Sequence, residues 1–351
     1  ALTASLTSLI ALELPIISSN MDSVTGGKMA EAMALEGGLG VIHRGQSIEK
    51  QAATVERVKR SHSAIIDNPL CLPLCATIGE ARTFCSEHNI NGILIETKPG
   101  SNNLAGVLTR RDMPWQIEFD SSSVENFMTP FTELTTAPYE VSIDDADRLM
   151  FEGRIERLPL ITNERKIQGL ITRKDLRFLR ERPYASKDDK GRLLAAAAIG
   201  CTGDYLERAA ELVKAGIDCF FVDIAHGHSK VLENGIKELK NSFSSTPLIS
   251  GNVATGEAAQ FMAELGVDGV KVGVGPGRGC RTRLETAAGI PQLQAIREVW
   301  CAVGDKITIV ADGGIRYDKD IFLALACGAD TVMLGSALSG TDEAPGRVIV
   351  D

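Results

Sequence analysis

Eight short apolar runs, each leading into Gly, Asn or Asp and then into a helix-spaced segment, constrain this chain more than any other feature. They fall at residues 15–21, 38–44, 194–200, 219–225, 247–253, 269–275, 307–314 and 331–337. Rich in Val, Ile and Ala, they read as parallel strands covered on both faces. Eight such strand and helix units are the number that closes a sheet on itself, so the expected fold class is α/β, a (β/α)8 TIM barrel.

One gap breaks the rhythm. After a helix expected over 48–60, about 130 residues pass before the third strand, far more than a βα connection needs. The gap holds an internal repeat: Gly106-Val-Leu-Thr109-Arg-Arg-Asp112-Met113 recurs as Gly169-Leu-Ile-Thr172-Arg-Lys-Asp175-Leu176. Each copy follows a short apolar run, at 92–96 and 158–162, and a turn. Two tandem copies of a small sheet-and-helix module explain this. The barrel is expected over 1–63 and 183–351, with the insert over 64–182.

At 44% hydrophobic and 24% charged residues the chain can bury a large core. Its net charge of -9 leaves no basic field for nucleic acid, so an anionic ligand must be held locally, by backbone amides or single arginines. No run approaches the ~20 apolar residues of a membrane span, and no charged start precedes a long apolar core. The expected location is cytoplasmic. Cysteines at 71, 75, 85, 201, 219, 280, 301 and 327 are spread through apolar segments, which suggests free thiols in a reducing compartment. Cys71 and Cys75 lack a second Cys or His pair at ligand spacing, and no zinc site is expected there. A terminal helix should follow the eighth strand, so the sequence reads as a piece of a longer chain or one lacking mobile parts.

In such a barrel the loops after the carboxyl ends of the strands form the active face. The sixth strand runs into Gly273-Val-Gly275-Pro-Gly277-Arg278-Gly279-Cys280-Arg281-Thr282-Arg283. Glycines at alternate positions permit tight turns and close approach of backbone to a ligand. They set Cys280 on a flexible loop among three arginines, and nearby cations favour the nucleophilic thiolate. Cys219 and Cys327 lie in apolar runs and are expected to be inert. The seventh strand ends Asp312-Gly313-Gly314 and the eighth Met333-Leu334-Gly335-Ser336. Glycines there are where many barrels hold a phosphate on amides, and Asp312 would then accept from a ribose hydroxyl pair. Asp223 and Asn252 close the fourth and fifth strands and are placed to orient a second ring. His226 and His228 have no third ligand at metal spacing, so a loop-stabilising or cofactor-edge role is expected of them.

Six segments in order carry a family resemblance: SSNMDSVTG at 18–26, VDIAHGHS at 222–229, GNVATGE at 251–257, KVGVGPGRGCRTR at 271–283, ADGGI at 311–315, and MLGS with GTDEAPG within 333–346. They resemble the IMP dehydrogenase and GMP reductase family over nearly the whole chain, and the repeat resembles the tandem CBS pair, or Bateman domain, that many members carry in the same place. The resemblance implies an oxidoreductase acting at C2 of a purine mononucleotide. Cys280 resembles the nucleophile and Thr282 its catalytic neighbour. Ser19, Met21, Arg278, Asp312, Gly313, Gly314, Met333, Gly335 and Ser336 match substrate positions, and Asp223, Ala225, Asn252 and Gly273 match the nicotinamide side. Carbonyls of Gly275, Gly277 and Cys280 resemble a site for a monovalent cation, potassium. Thr109, Asp112, Thr172 and Asp175 match positions that touch regulatory purine nucleotides.

Both family reactions form a thioimidate on the cysteine. In the dehydrogenase a hydride passes from IMP to NAD and water releases XMP; in the reductase ammonia leaves GMP, and NADPH delivers the hydride that gives IMP. Asn20, Thr255-Gly256-Glu257 and Pro291-Gln292-Leu293 resemble reductases, whereas the insert and GTDEAPG resemble dehydrogenases. The family usually has Ser and an apolar residue before the cysteine; here Arg278-Gly279 replaces a hydroxyl by a longer cation. The flap that separates the two reactions in the family is absent after the last matching motif. The expectation is a GMP reductase, with an IMP dehydrogenase as the alternative. A non-catalytic nucleotide sensor is the reading from another class, and Cys280 together with Thr282 argues against it. Barrels of the family assemble as tetramers, joined into octamers by the CBS pairs.

Overall fold

The computed structural model describes residues 2–61, 65–88, 90–224 and 226–346. The chain divides into two compact units, Ala1–Ser61 with Arg182–Asp351, and His62–Glu181. In the first, eight parallel strands close into a barrel: β1 (Ile16–Ser18), β2 (Leu39–Ile42), β3 (Ala196–Ile199), β4 (Cys219–Asp223), β5 (Leu248–Val253), β6 (Gly269–Val272), β7 (Thr308–Asp312) and β8 (Thr331–Leu334) follow one another round the ring. This is the TIM barrel that the eight apolar runs imply. The helix expected over 48–60 forms at Ile48–Arg60, where Ser47 accepts the Lys50 amide at 3.3 Å. Several strands stop short of their apolar runs because the backbone turns. Gly273, at φ 145°, ends β6, and Gly313 and Gly314, at φ 85° and 81°, end β7.

Alternate residues of each strand point inward. Ile17, Val41, Phe221, Ile249, Val310 and Met333 fill the interior, closed at the amino ends of the strands by Leu6 and Leu12 of a short hairpin. Phe220, Val222, Val270, Val272 and Ile309 face the helices. A fully buried side chain of this kind contributes roughly 1.5–3 kcal/mol. The inward series of β4 is Cys219, Phe221, Asp223; that of β6 is Gly269, Lys271; that of β7 is Thr308, Val310, Asp312. The apolar filling therefore gives way to charge at the carboxyl mouth.

The second unit repeats one pattern. A helix at Ile78–Glu87 precedes strands Gly92–Glu96 and Leu104–Thr109, and a helix at Ile143–Glu152 precedes strands Arg157–Ile161 and Ile167–Thr172. Each helix starts on a hydroxyl cap, Thr77 for the Glu80 amide and Ser142 for the Asp145 amide. Leu94, Leu104 and Val107 of the first half share a core with Ile167 and Leu170 of the second.

Near its end the helix Ile48–Arg60 buries Lys59, whose ammonium lies 2.9 Å from Asp188 and 2.8 Å from Asp218. Burial holds the Asp218 carboxyl above its ordinary value despite Lys59; Asp188, which burial also raises, is brought below it by Lys59 and Arg192. A carboxylate held low contributes stability that is lost in acid, whereas one held high costs stability as the pH rises through its folded value. Lys59→Met turns both into the second kind. Urea unfolding at pH 7 is expected to show a loss of about 3 to 5 kcal/mol, smaller at pH 4.5, where protonation relieves the pair. A loss that grows on acidification contradicts this account.

Candidate active site

Five side chains join across the barrel mouth. Lys271, from β6, is fully buried, and its ammonium donates to Asp223 Oδ1 at 2.7 Å and Asp312 Oδ2 at 3.2 Å. Asn20, after β1, donates to Asp223 Oδ2 at 2.9 Å; Asn252, in β5, donates to Asp312 Oδ2 at 2.7 Å and to the Gly273 carbonyl at 2.8 Å. Burial alone would push the Lys271 ammonium down, but Asp312 and Asp223 more than reverse it, and the group titrates above the ordinary lysine value. Burial would likewise raise Asp223, yet Lys271 and Asn20 hold it below the usual carboxylate range. Both contacts to Asp312 fall on Oδ2, which leaves Oδ1 for a ligand.

The loop after β6 is pinned at three points. The Gly273 amide donates to the Val253 carbonyl at 2.9 Å, the Cys280 amide to the Gly277 carbonyl at 3.1 Å, and Arg283 Nε to the Val274 carbonyl at 3.0 Å, while the same guanidinium reaches the Ile290 carbonyl at 2.5 Å. Cys280 is exposed, and its thiol donates to Thr282 Oγ1 at 3.2 Å. Of the three arginines expected beside the sulfur, two are turned to other work. Arg283 staples loop carbonyls, which suit its fork of donors, and Arg281 pairs with Glu285 at 2.6 Å. Arg278 is exposed, lines the cleft and has no partner among the described residues. Cys219 is fully buried, its thiol pushed well up by desolvation, whereas Cys327 is half-buried.

Cys280, the charged mouth and the glycine loops enclose one cleft of about 610 Å³. At one end the amides of Gly313, Gly314, Gly335 and Ser336 donate to no carbonyl among the described residues. Beside them lies Ser19 Oγ, buried without a partner and 3.3 Å from where a Cβ on Gly335 would stand. Asn252 Oδ1 is a second buried acceptor without a donor.

The sequence matches the family described as IMP dehydrogenase / GMP reductase domain over residues 1–351. The chain belongs to this IMP dehydrogenase / GMP reductase family. It is 44% identical over 352 residues to an inosine-5'-monophosphate dehydrogenase of Staphylococcus epidermidis, covering 99% of this chain and 71% of that one. An inosine-5'-monophosphate dehydrogenase of Aquifex aeolicus is 44% identical over 98% of this chain and 70% of its own. Among solved structures, a GMP reductase from Trypanosoma brucei in complex with guanosine 5'-monophosphate superimposes with a TM-score of 0.91 at 39% identity, covering 99% of this chain and 74% of that one. The same enzyme with guanosine 5'-triphosphate gives 0.89, covering 98% and 82%.

Ser19, Met21, Asp223, Asn252, Gly273, Gly275, Gly277, Arg278, Cys280, Asp312, Gly313, Gly314, Met333, Gly335 and Ser336 all line the one cleft. Ala225 lies outside the described residues. His226 is exposed, and the His228 ring packs 4.8 Å from that of Phe261, so neither lines the cleft. The family motif includes Lys271 and the sequence after β1 includes Asn20, but neither was expected as a site residue; a lysine in the inward register of an apolar strand is the signal that finds the first. Gln292 was also missed. Its Nε2 ties the carbonyls of Val272 and Asp312 at 2.8 and 3.2 Å.

In the second unit Thr109 donates to Asp112 Oδ2 at 2.7 Å, and Thr172 makes the same bond to Asp175. Thr109 and Asp112 line a cavity of about 400 Å³; Thr172 lines another of about 680 Å³ together with Arg157, Arg173, Lys174 and Arg177, whereas Asp175 is not in its wall.

Arg283→Met removes two charge-assisted bonds from the cysteine loop, each worth roughly 1.5–3 kcal/mol. Thermolysin is expected to nick the variant before Leu284 at least tenfold faster than the parent, with the barrel intact by circular dichroism. Equal nicking would show that Arg283 does not hold the loop.

Proposed function

We propose that the chain is a GMP reductase, converting GMP and NADPH to IMP, ammonia and NADP through a thioimidate on Cys280. The observation that carries the reading is one cleft lined by an exposed cysteine, by Asp312 with its Oδ1 outside the ring of bonds, and by glycine amides unpaired among the described residues. The phosphate rests on the amides of Gly313, Gly314, Gly335 and Ser336 with Ser19 Oγ, and Arg278 adds a cation. Asp312 accepts from the ribose, while Met21 and Met333 pack the purine. The sulfur adds to C2, the amino group departs as ammonia, and once a hydride has reached C2 the carbon–sulfur bond breaks to give IMP. Thr282 Oγ1, 3.2 Å from the sulfur, is the hydroxyl in place to hand the departing amino nitrogen the proton with which it leaves as ammonia. NADPH supplies the hydride when bound. Asn252 Oδ1, an orphaned buried acceptor, fits its carboxamide, with Asp223 and Gly273 lining the same cleft. The carbonyls of Gly275, Gly277 and Cys280 are neutral, hard donors that suit potassium; that of Gly277 already accepts the Cys280 amide and would use its second lone pair.

The Arg278-Gly279 pair before the cysteine and Asn20 on Asp223 favour the reductase. The 44% identity to proteins named inosine-5'-monophosphate dehydrogenase favours the second reading, the NAD-dependent oxidation of IMP to XMP. The purified full-length enzyme is expected to oxidise NADPH with GMP and release ammonia, and Cys280→Ala to lower the rate about a thousandfold or more. NADH formation from IMP and NAD, with NADPH untouched by GMP, would give the dehydrogenase instead. The same proposal places the enzyme in the cytoplasm as a tetramer or octamer; no described helix is long and apolar enough to cross a membrane.

The second unit, at 64–182 by its sequence pattern, is proposed to be a CBS pair that senses purine nucleotides through Thr109, Asp112, Thr172 and Asp175. GTP or ATP is expected to change activity or assembly, and Asp175→Ala to blunt the change at least severalfold. Equal responses of variant and parent remove that site.

A further inference from the structure

We propose that Lys271 is a positioning residue for the nucleotide, acting through charge: its buried ammonium holds Asp312 and Asp223 together, so that Asp312 presents Oδ1 to the ribose. The inference rests on the nucleotide reading of the cleft. Val270 and Val272 of β6 face the helices, and Lys271 takes the inward register between them, fully buried. Space for its stem comes from β5, where Gly251 is its register partner and a Cβ there would lie 2.6 Å from that of Lys271. The ammonium reaches the last inward residues of β4 and β7, 2.7 Å from Asp223 and 3.2 Å from Asp312. Asn20 and Asn252 complete the ring without adding charge.

Two carboxylates and one ammonium leave the ring at a net charge of about -1, with Arg44 the further cation acting on Asp223. Without the ammonium two half-buried carboxylates face one another, which forces them apart or makes them share a proton. Asp312 is then displaced from the ribose. Removing one carboxylate as well restores the net charge, although it deletes a second buried group.

The test is GMP affinity by calorimetry on the full chain between pH 5.5 and 8.5, each variant expressed relative to the parent so that the titration of the phosphate cancels. Lys271→Met is expected to bind roughly 100-fold more weakly at pH 8 and to recover at least tenfold towards pH 5.5, as one carboxylate takes up a proton. Lys271→Met with Asp223→Asn is expected to bind within about tenfold of the parent, with no pH trend. Folding of the double variant where the single one fails supports the proposal equally. A single variant weakened to the same extent at every pH, a double variant weaker than the single, or failure of both to fold would make Lys271 a packing element and overturn the inference. A parent that binds no GMP counts against the nucleotide reading itself.

Discussion

Inward alternation along closed parallel strands is the constraint on which the rest of this structure depends. A barrel of eight short strands has room for few layers of side chains, and here the lower ones are apolar. The period of two then carries the pattern upward until, at the mouth, β4, β6 and β7 deliver Asp223, Lys271 and Asp312 to one level. Burying three charged groups is tolerable because each is paired and hydrogen-bonded. The arrangement is stiff, and it faces the cleft with only one carboxylate oxygen of Asp312 uncommitted within the ring.

The exposed thiol of Cys280 sits at the rim of that mouth, on a loop that would wander if glycine alone governed it. Arg283 ties its carbonyls from beneath, Gln292 ties the ends of β6 and β7, and the turn from Gly277 to Cys280 raises the sulfur beside Thr282. Among the described residues, an acidic chain thus gathers in one cleft unpaired amides, one buried hydroxyl and an unpartnered arginine. Cys280 and the unpaired amides share the cleft because strand ends meet there, even though the residues lie far apart in sequence.

Much of this was legible beforehand. The eight runs gave the barrel, since uninterrupted Val, Ile and Ala segments have few other uses. The duplicated Thr–Asp motif in 106–113 and 169–176 marked the insert, and both copies form the same side-chain bond. The cleft residues could be named because loop glycines and polar strand ends are local signals. What escaped was partly loop conformation, in that Arg283 and Arg281 spend their charge on nearby carbonyls and on Glu285, and partly long-range: that Asn20 meets Asp223 across the barrel, and that Lys271 bridges two strands. Such pairings depend on register and closure, which spacing along one strand does not encode. Strand ends were overrun for a related reason, as apolarity continues past the residues where Gly273 and Gly313 turn the backbone.

The central claim is that the Cys280 sulfur stands within bonding reach of a purine ring whose phosphate lies on the glycine loops. Peptide mapping after incubation with 6-chloropurine riboside 5'-monophosphate tests it most directly, because an electrophilic purine reports where the ring sits. A single adduct on Cys280, suppressed by GMP, is the result predicted. No adduct, or one shared with the exposed Cys75 and Cys301, would contradict it.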